Sequence, residues 1–347
     1  YKRQGHDGAM AMRLVVQNRY ELMNTEQWHR LSRWMQQLPD ELVAESAYLN
    51  STIAILAVYG GKGQDMLVHA QRAADLMSLR NVDAEERQIV QAEISVIHGL
   101  LDVVRGHSGK AIDYGQRALN QLPPNALHIR TVAHAVISGS LQMQGEFNKA
   151  VEMLSEVLDD PTWPDHIRPK ILQSLSAIAF REGELPRVMA ASQELLRRGQ
   201  RLRLPTMVGF ARYFLGAAHY LRDELQAAEP HLLGLVEYRD VAAPSYVAHG
   251  TYALACIHLA RGNVSDAEQI METVKLHFLE IGHSNAYRIL EAAGVELTLR
   301  TGDLEEARRK SARVTQFDLR PPMWFWYVPQ LTPIKLLLAE GTPESLA

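Results

Sequence analysis

The histidines are the side chains of this sequence with the widest chemistry, because an imidazole binds metal ions and transfers protons near neutral pH. There are fourteen, but none belongs to an H-E-x-x-H motif or another compact set of metal ligands. His219 and His258 lie at equivalent positions of the repeat described below, which favours a packing role for both. The single cysteine, Cys256, excludes a disulfide framework and a thiolate zinc site. The sequence therefore predicts no metal site and a buried, inert thiol.

Catalysis has no basis in the spacing of the reactive residues. Neither a nucleophile with its base and acid nor a pair of carboxylates can be assigned, so we predict that the chain is not an enzyme. The formal net charge of −4 leaves no large positive field for a phosphate backbone, which argues against nucleic-acid binding through this segment. The sequence contains no long apolar run, and its first residues, YKRQGHDGAM, do not resemble a signal peptide. We predict a cytoplasmic protein without a membrane contact.

A repeated pattern organises the whole chain: a glycine, then an acidic or polar residue, then the start of a helix. Successive anchors of this pattern are 45, 39, 38, 40, 39, 40 and 39 residues apart. A glycine adopts the left-handed conformation at a helix end without a steric clash, and aspartate tolerates it, so each anchor predicts a helix end. The anchors are Gly61, Gly106, Gly145, Gly183, Asp223, Gly262, Gly302 and Gly341.

Small residues recur at fixed distances from the anchors. Alanine stands five residues after five of the eight anchors, and a small residue stands seven residues before most of them. Small side chains at matched places allow two helices of a hairpin to approach closely, so these positions predict tight helix pairs. The alanines are Ala111, Ala150, Ala228, Ala267 and Ala307, and the earlier small residues are Ala54, Gly99, Ser138, Ser176, Gly216 and Ala255.

Between anchors, two helix-length segments carry apolar residues at three- and four-residue spacing, and no strand-like alternation occurs. Asp303 with Glu306, and Ser265 with Glu268, have the spacing of helix-capping residues. One hairpin is too small to bury its own apolar face, so neighbouring hairpins are expected to stack. We predict an all-α fold over residues 1–347 as a single continuous domain. It is a right-handed superhelix, or solenoid, of tandem antiparallel helix hairpins, similar to tetratricopeptide (TPR) repeats but with a period of about 39 residues.

Two stretches resemble a known family. Residues 22–42, LMNTEQWHRLSRWMQQLPDEL, contain Trp28 and Trp34 followed by a Leu-Pro-x-Glu-Leu turn at residues 38–42. This pattern resembles the MalT-type, large ATP-binding LuxR-family transcriptional regulators, where it marks the start of a TPR-like repeat array. Residues 327–346, YVPQLTPIKLLLAEGTPESL, are similar to a late repeat of the same family. The resemblance extends over essentially the whole chain.

The resemblance implies a larger regulator with an NTPase at its N-terminus, this array as sensor, and a helix-turn-helix at its C-terminus. The present sequence is then expected to be a fragment. It has no G-x-x-x-x-G-K-[ST] loop, because the glycine pair at 60–61 is followed by Lys-Gly-Gln-Asp. It also has no basic recognition helix. We expect ATP only in the NTPase, DNA only at the helix-turn-helix, and no cofactor in this segment.

In TPR-type superhelices the first helix of each hairpin lines a concave groove. Counting back three, six, ten and thirteen residues from the anchors of three central repeats gives the inward face of that helix. Several aromatics with a few polar groups suit a small, flat or sugar-like ligand, or an inserted peptide helix. The alternative is that these aromatics only fill the space between helices. The candidate ligand- or partner-binding residues are Lys170, Gln173, Phe180, Phe210, Tyr213, Tyr220, His249 and Tyr252.

The sequence leaves two functions open. In the first, a small-molecule effector or a regulatory protein binds in the concave groove and biases the attached parts of a transcriptional regulator. In the second, the array is a passive protein–protein interaction scaffold with no small-molecule ligand. The consecutive aromatics at residues 324–327 predict a cap for the next repeat rather than a ligand contact.

Overall fold

The computed structural model describes residues 2–59, 63–79, 82–314 and 325–341. In these ranges the chain forms α-helices and one 3-10 turn, with no strand, so the all-α prediction is confirmed. The helices are α1 (Lys2–Asn24), α2 (Trp28–Gln36), α3 (Asp40–Glu45), α4 (Ala47–Tyr59), α5 (Gly63–Leu79), α6 (Ala84–Val104), α7 (Ser108–Gln121), α8 (Leu127–Met143), α9 (Phe147–Asp159), α10 (Arg168–Glu182), α11 (Leu185–Arg201), α12 (Pro205–Leu221), α13 (Leu225–Glu237), α14 (Pro244–Ala260), α15 (Val264–Glu280), α16 (Ser284–Thr301), α17 (Leu304–Ser311) and α18 (Thr332–Glu340), with the 3-10 turn at Pro329–Leu331.

The anchors end helices as predicted. All seven that the structure describes adopt a left-handed backbone, with φ between 59° at Asp223 and 86° at Gly302. After α6, for example, the backbone N–H of His107 donates to the carbonyl of Asp102 at 2.8 Å, which closes the helix in the manner of a Schellman motif. Gly61 lies outside the described residues.

The small residues allow the close helix pairs that the repeat predicts. The alanines five residues after the anchors are completely buried. A Cβ atom at Gly216 would approach the Leu232 side chain of α13 to 2.6 Å, so only glycine fits there. Between α10 and α11, the hydroxyl of Ser192 donates to that of Ser176 at 2.9 Å. The two helices of each hairpin therefore touch at these positions.

One of the two predicted helix caps is present. The Asp303 side chain accepts the backbone N–H of Glu306 at 2.9 Å and caps α17. The prediction for Ser265 is wrong, because α15 begins at Val264 and its first turn already contains Ser265. Asn263 holds the N-cap position instead, without a side-chain hydrogen bond.

The contacts divide the chain into two compact units, residues 1–174 and 175–347. In the first unit, α4, α6 and α8 pack side by side, each paired with the helix that follows it, and α1 lies against α4 and α8. In the second unit, α12, α14, α16 and α18 pack side by side, and α13, α15 and α17 pair with the first three. We call the row formed by α12, α14, α16 and α18 the first-helix layer. Consecutive hairpins thus stack as in a helical-repeat solenoid. The single-domain prediction stays a prediction.

Candidate functional site

Aromatic rings gather on the first-helix layer of the second unit. Tyr213 of α12 lies at the centre, with its ring centroid 4.9 Å from Tyr246 of α14 and 6.2 Å from Phe180 of α10. Phe210 meets Tyr246 at 4.7 Å. Both pairs that involve Tyr246 are close to perpendicular, the edge-to-face geometry that aromatic quadrupoles prefer. The aromatics predicted from the repeat therefore come together. We call Tyr213, Tyr220, Tyr246, His249 and Tyr252 the aromatic face.

A later part of the chain covers this face. Phe325 stacks on the His249 ring with centroids 3.9 Å apart and planes 4° from parallel. Trp326 stacks on Tyr252 at 5.2 Å and 11°, and its ring also lies 5.0 Å from Tyr220. We call Phe325–Tyr327 the aromatic segment. Its Phe325 and Trp326 rings occupy the surface on which a flat ligand would stack.

The cap interpretation of residues 324–327 describes only part of this arrangement. Tyr327 hydrogen bonds the side chain of Thr332 at the start of α18, as a cap of the next repeat would. Phe325 and Trp326 reach back over α12 and α14 instead, to the rings named above. Trp324 lies outside the described residues.

The aromatic segment and the face differ in burial. Tyr213 and Tyr252 are 0% exposed and His249 is 2% exposed, whereas Phe325 and Trp326 are partly exposed. Few polar contacts hold the two outer rings. The indole Nε1 of Trp326 donates to the carbonyl of His249 at 3.3 Å, and the backbone of Trp326 hydrogen bonds the Tyr213 hydroxyl. The aromatic segment therefore covers the face with stacked rings whose outer side is open to solvent.

A buried carboxylate lies at one edge of the face. Glu296 of α16 is 4% exposed. It accepts hydrogen bonds from Lys335 Nζ at 2.7 Å, Thr332 Oγ1 at 2.8 Å and the Tyr252 hydroxyl at 3.3 Å. Because the Thr332 proton is used on Glu296, the Tyr327 hydroxyl donates to Thr332 Oγ1, at 2.9 Å. The three donors satisfy the carboxylate and connect Tyr327 and α18 to α16.

Burial keeps the face uncharged. It lowers the pKa of His249 to about 3, so this imidazole is neutral at neutral pH. The Nδ1 atom of His249 is buried and has no hydrogen-bond partner among the described residues. Burial also raises the pKa of Tyr252 and of the Cys256 thiol, and raises the pKa of Tyr220 to about 12. The buried, unreactive thiol agrees with the interpretation of Cys256 from sequence.

The eight candidate residues fall in both units. Lys170 and Gln173 belong to the first unit, and the other six belong to the second. Lys170 is 4% exposed and its Nζ bonds the Glu26 carboxylate at 2.6 Å, so its charge is already neutralised. Gln173 is partly buried. Whether any of the eight binds a ligand stays a prediction.

Glu26, the partner of Lys170, belongs to a short segment that covers first helices of the first unit. The Asn24 side chain accepts the backbone N–H of His128 at 2.8 Å and so caps α8. Trp28 packs edge-on against the His128 ring at 4.8 Å. Glu26 between them has a left-handed backbone, with φ 58°, and the ion pair described above. We call Asn24–Trp28 the polar cover.

Sequence reasoning missed Glu296 and Lys335, although the same counting rule reaches them. Glu296 stands six residues before Gly302, and Lys335 stands six residues before Gly341. The sequence prediction covers three central repeats only. The next repeat gives Glu296, and the repeat after it gives Lys335, so the rule reaches both partners of the ion pair. Tyr246 does not follow the rule, because it lies in the first turn of α14, beyond the counted positions.

Other features of the described residues carry no separate site. Within the described ranges, no three His, Cys, Asp or Glu side chains come together as metal ligands. None of the described helices has the length and apolarity that a membrane crossing requires. The His219 imidazole bonds Glu224 at 2.7 Å and stacks on His231, in agreement with a packing role. A cleft of about 520 Å³ between α15, α16 and α17 is lined by charged side chains and Tyr287.

The stacked hairpins and the aromatic face define a helical-repeat module of the TPR type. A family model described as the MalT-like TPR region matches residues 92–347. The chain therefore belongs to the MalT-like TPR family, as the sequence resemblance indicated. The comparison with curated proteins found no match. Among solved structures, the P58(IPK) TPR domain is 13% identical over 88% of this chain and 92% of that chain, with a TM-score of 0.27. A likeness this low carries no weight for the fold, which rests on the helix packing.

Proposed function

We propose that this chain is the effector-sensing module of an ATP-dependent, LuxR-type transcriptional regulator, and that the aromatic face is its effector site. The observation that carries the proposal is the convergence of four tyrosine rings from α12 and α14 near one buried imidazole, whose Nδ1 atom has no hydrogen-bond partner among the described residues. Membership of the MalT-like TPR family supports the regulatory role. ATP and DNA binding belong to other parts of such a regulator, which acts in the cytoplasm.

The chemistry of the face suits recognition without catalysis. Flat rings supply large apolar contact area and fix the plane of a ligand. A small number of polar groups, here the Glu296 network and the His249 ring, then set its orientation. No nucleophile with a matched base lies on the face, since Cys256 is a buried thiol with a raised pKa. The module binds and transmits rather than reacts.

Transmission requires that the effector prefer one arrangement of the helices. An effector that binds two arrangements equally well shifts neither, however tightly it binds. The face joins α12, α14 and, through Tyr252 and Glu296, α16. A ligand that contacts rings on several first helices therefore changes how consecutive repeats pack. The attached parts of the regulator sense that change.

A passive scaffold is the second candidate. The observation that favours it is the occupant of the face, because the aromatic segment is itself polypeptide. A scaffold responds to proteins or peptides and does not respond to metabolites.

Thermal shift against a metabolite library separates the two candidates. The parent chain is compared with Tyr252→Phe, which keeps the ring but removes the hydroxyl that bonds Glu296 and Arg300. Tyr287→Phe in the separate cleft is the matched control. An effector raises the melting temperature of the parent and the control, and raises that of Tyr252→Phe less. A compound that raises the melting temperature of Tyr252→Phe as much as that of the parent binds at another site. A chain that responds only to protein partners is a scaffold.

A further inference from the structure

We infer that the aromatic segment is a resident competitor of the effector, and that the effector is a diaromatic compound or peptide which replaces the rings of Phe325 and Trp326. The inference rests on the proposed function and names the ligand class and regulation of that same site. It follows from what lies beneath the segment, how the segment is held, and what it leaves unsatisfied.

The rings beneath the segment are the ones best suited to bind a ligand. Tyr213, His249 and Tyr252 are almost completely buried, while the Phe325 and Trp326 rings that lie over them are partly exposed. Removing the two outer rings would uncover the faces of His249 and Tyr252, on which they stack, and the part of Tyr213 that Phe325 contacts. Exposed aromatic surface of this kind is a binding surface, because stacking restores both the burial and the ring contacts. In the covered state the site is filled by the chain itself.

Among the described residues, Tyr327 makes stronger contacts than Phe325 and Trp326 do. Tyr327 is 2% exposed and is joined through Thr332 to the Glu296 carboxylate. Phe325 and Trp326 are held by stacking, by the 3.3 Å indole hydrogen bond to the His249 carbonyl and by the backbone hydrogen bond of Trp326 to the Tyr213 hydroxyl. The two outer rings can leave while Tyr327 stays in place. The segment therefore acts as a strap hinged at Tyr327.

The covered state leaves one polar group unsatisfied. The Phe325 ring lies on the face of the His249 ring, and the Nδ1 atom of His249 is buried and has no hydrogen-bond partner among the described residues. The phenyl ring of Phe325 has no hydrogen-bonding group to offer it. A ligand whose polar group extends to the edge of the imidazole, in the plane of that ring, would satisfy this atom and so bind better than the resident segment. The two stacked rings lie one residue apart along the chain, which sets the spacing of the rings in the ligand.

Competition lowers the apparent affinity of the site. The dissociation constant that is measured equals the intrinsic one divided by the fraction of molecules whose strap is open. Removing the two resident rings therefore tightens the binding of an added diaromatic ligand, with no new contact to the ligand. If the segment does not compete with the ligand, removing the two rings does not raise the affinity for the ligand.

The test uses acetyl-Phe-(5-fluoro-Trp)-amide as the ligand and ¹⁹F NMR line width as the readout. It is titrated into the full chain, into Phe325→Ala/Trp326→Ala, and into Tyr287→Ala as the matched control. We expect the double variant to bind at least about tenfold more tightly than the parent and the control. Acetyl-Gly-(5-fluoro-Trp)-amide, which lacks the phenyl ring, is expected to bind about tenfold more weakly than the Phe-Trp ligand.

Equal affinity of parent and double variant overturns the inference, and so does an equal affinity of the two ligands. If the double variant has lost its cooperative melt, Phe325→Leu/Trp326→Leu replaces it, because leucine keeps apolar volume but cannot stack. A longer peptide, Phe-Trp-Tyr-Val-Pro-Gln, and a small diaromatic metabolite compete against the same probe and distinguish the two sources of the chemistry. A metabolite that binds the parent and the double variant equally leaves the proposed function standing and refutes the strap.

Discussion

In both units a segment of the same chain covers first helices, but different interactions hold the two segments in place. In the first unit, the polar cover is fixed by the Glu26–Lys170 ion pair, whose side chains are 6% and 4% exposed, and by the Asn24 cap on α8. In the second unit, the aromatic segment lies on the face through stacked rings that remain partly exposed. One cover is held by a buried ion pair and a helix cap, and the other by the stacking of partly exposed rings.

This difference decides which cover can move. Removing one partner of a buried ion pair leaves an uncompensated charge, which costs about 3–5 kcal/mol. An aromatic pair contributes about 0.5–1.5 kcal/mol beyond its buried area, and a ligand with its own rings can replace it. The polar cover is therefore structural, and the aromatic segment is exchangeable.

The largest effect is expected at the polar cover. Lys170→Met keeps the length of the side chain and removes its charge, so Glu26 is left buried and unpaired. We expect a loss of about 3–5 kcal/mol in the free energy of unfolding, measured by urea denaturation. Lys149→Met, at an ion pair whose lysine is 68% exposed, is the control and should change stability by under about 0.5 kcal/mol. Similar losses in the two variants would contradict a structural role for the cover.

The aromatic segment should matter less. Trp326→Ala removes a partly exposed ring and its indole hydrogen bond, and we expect a loss of about 1–2 kcal/mol. Urea denaturation measures it alongside Lys170→Met. A loss as large as that of Lys170→Met would mean that the segment is part of the core rather than a strap.

Acid should weaken the aromatic site. His249 has a pKa of about 3 in the folded chain and about 6.5 when exposed, so the folded state binds its proton less readily. The stability from its neutral form is complete above pH 6.5 and is lost as pH falls toward 3, by about 2 kcal/mol at pH 5. The rings in contact with it are Phe325 and Tyr327, and burial raises the pKa of Tyr327, so neither supplies a compensating charge.

The pH effect is measured as the change in melting temperature between pH 7.5 and 5, in the parent and in His249→Gln. Other histidines with a lowered pKa, such as His134 at about 4, contribute in both proteins and cancel in the difference. The parent should lose more stability than the variant. The same pH dependence in both would show that His249 is not the group responsible.

The smallest effect on stability is expected at two residues that share a left-handed backbone conformation. Glu26 and Asp223 have φ of 58° and 59°. Asp223→Gly removes the left-handed cost without loss of a buried contact and should stabilise the chain by about 0.5–1 kcal/mol. Glu26→Gly removes the same cost but breaks the buried ion pair, so it should destabilise. Thermal melts of the two variants give the signs, and a gain in both would show that the ion pair contributes nothing.

The repeat could be predicted from sequence because one physical rule recurs at every anchor. A left-handed residue ends a helix, and a small residue at a fixed distance lets the next helix approach, as Gly216 shows against Leu232. The gathering of Tyr213, His249 and Tyr252 followed from the same register. The occupant could not be predicted, because Phe325 and Trp326 stand at none of the counted repeat positions and meet residues 74 or more positions away only in the folded chain. Similarly, the charge partner of Lys170 lies 144 residues distant.

The most direct test of the contrast follows both covers in one sample. The chain is labelled with 5-fluorotryptophan, and the resonances of Trp28 and Trp326 are assigned with Trp28→Phe and Trp326→Phe. Unlabelled acetyl-Phe-Trp-amide is then added in excess. The account predicts that the Trp326 resonance moves toward the position of a solvent-exposed indole while the Trp28 resonance stays in place. A Trp326 resonance that does not move, or two resonances that move together, would contradict it.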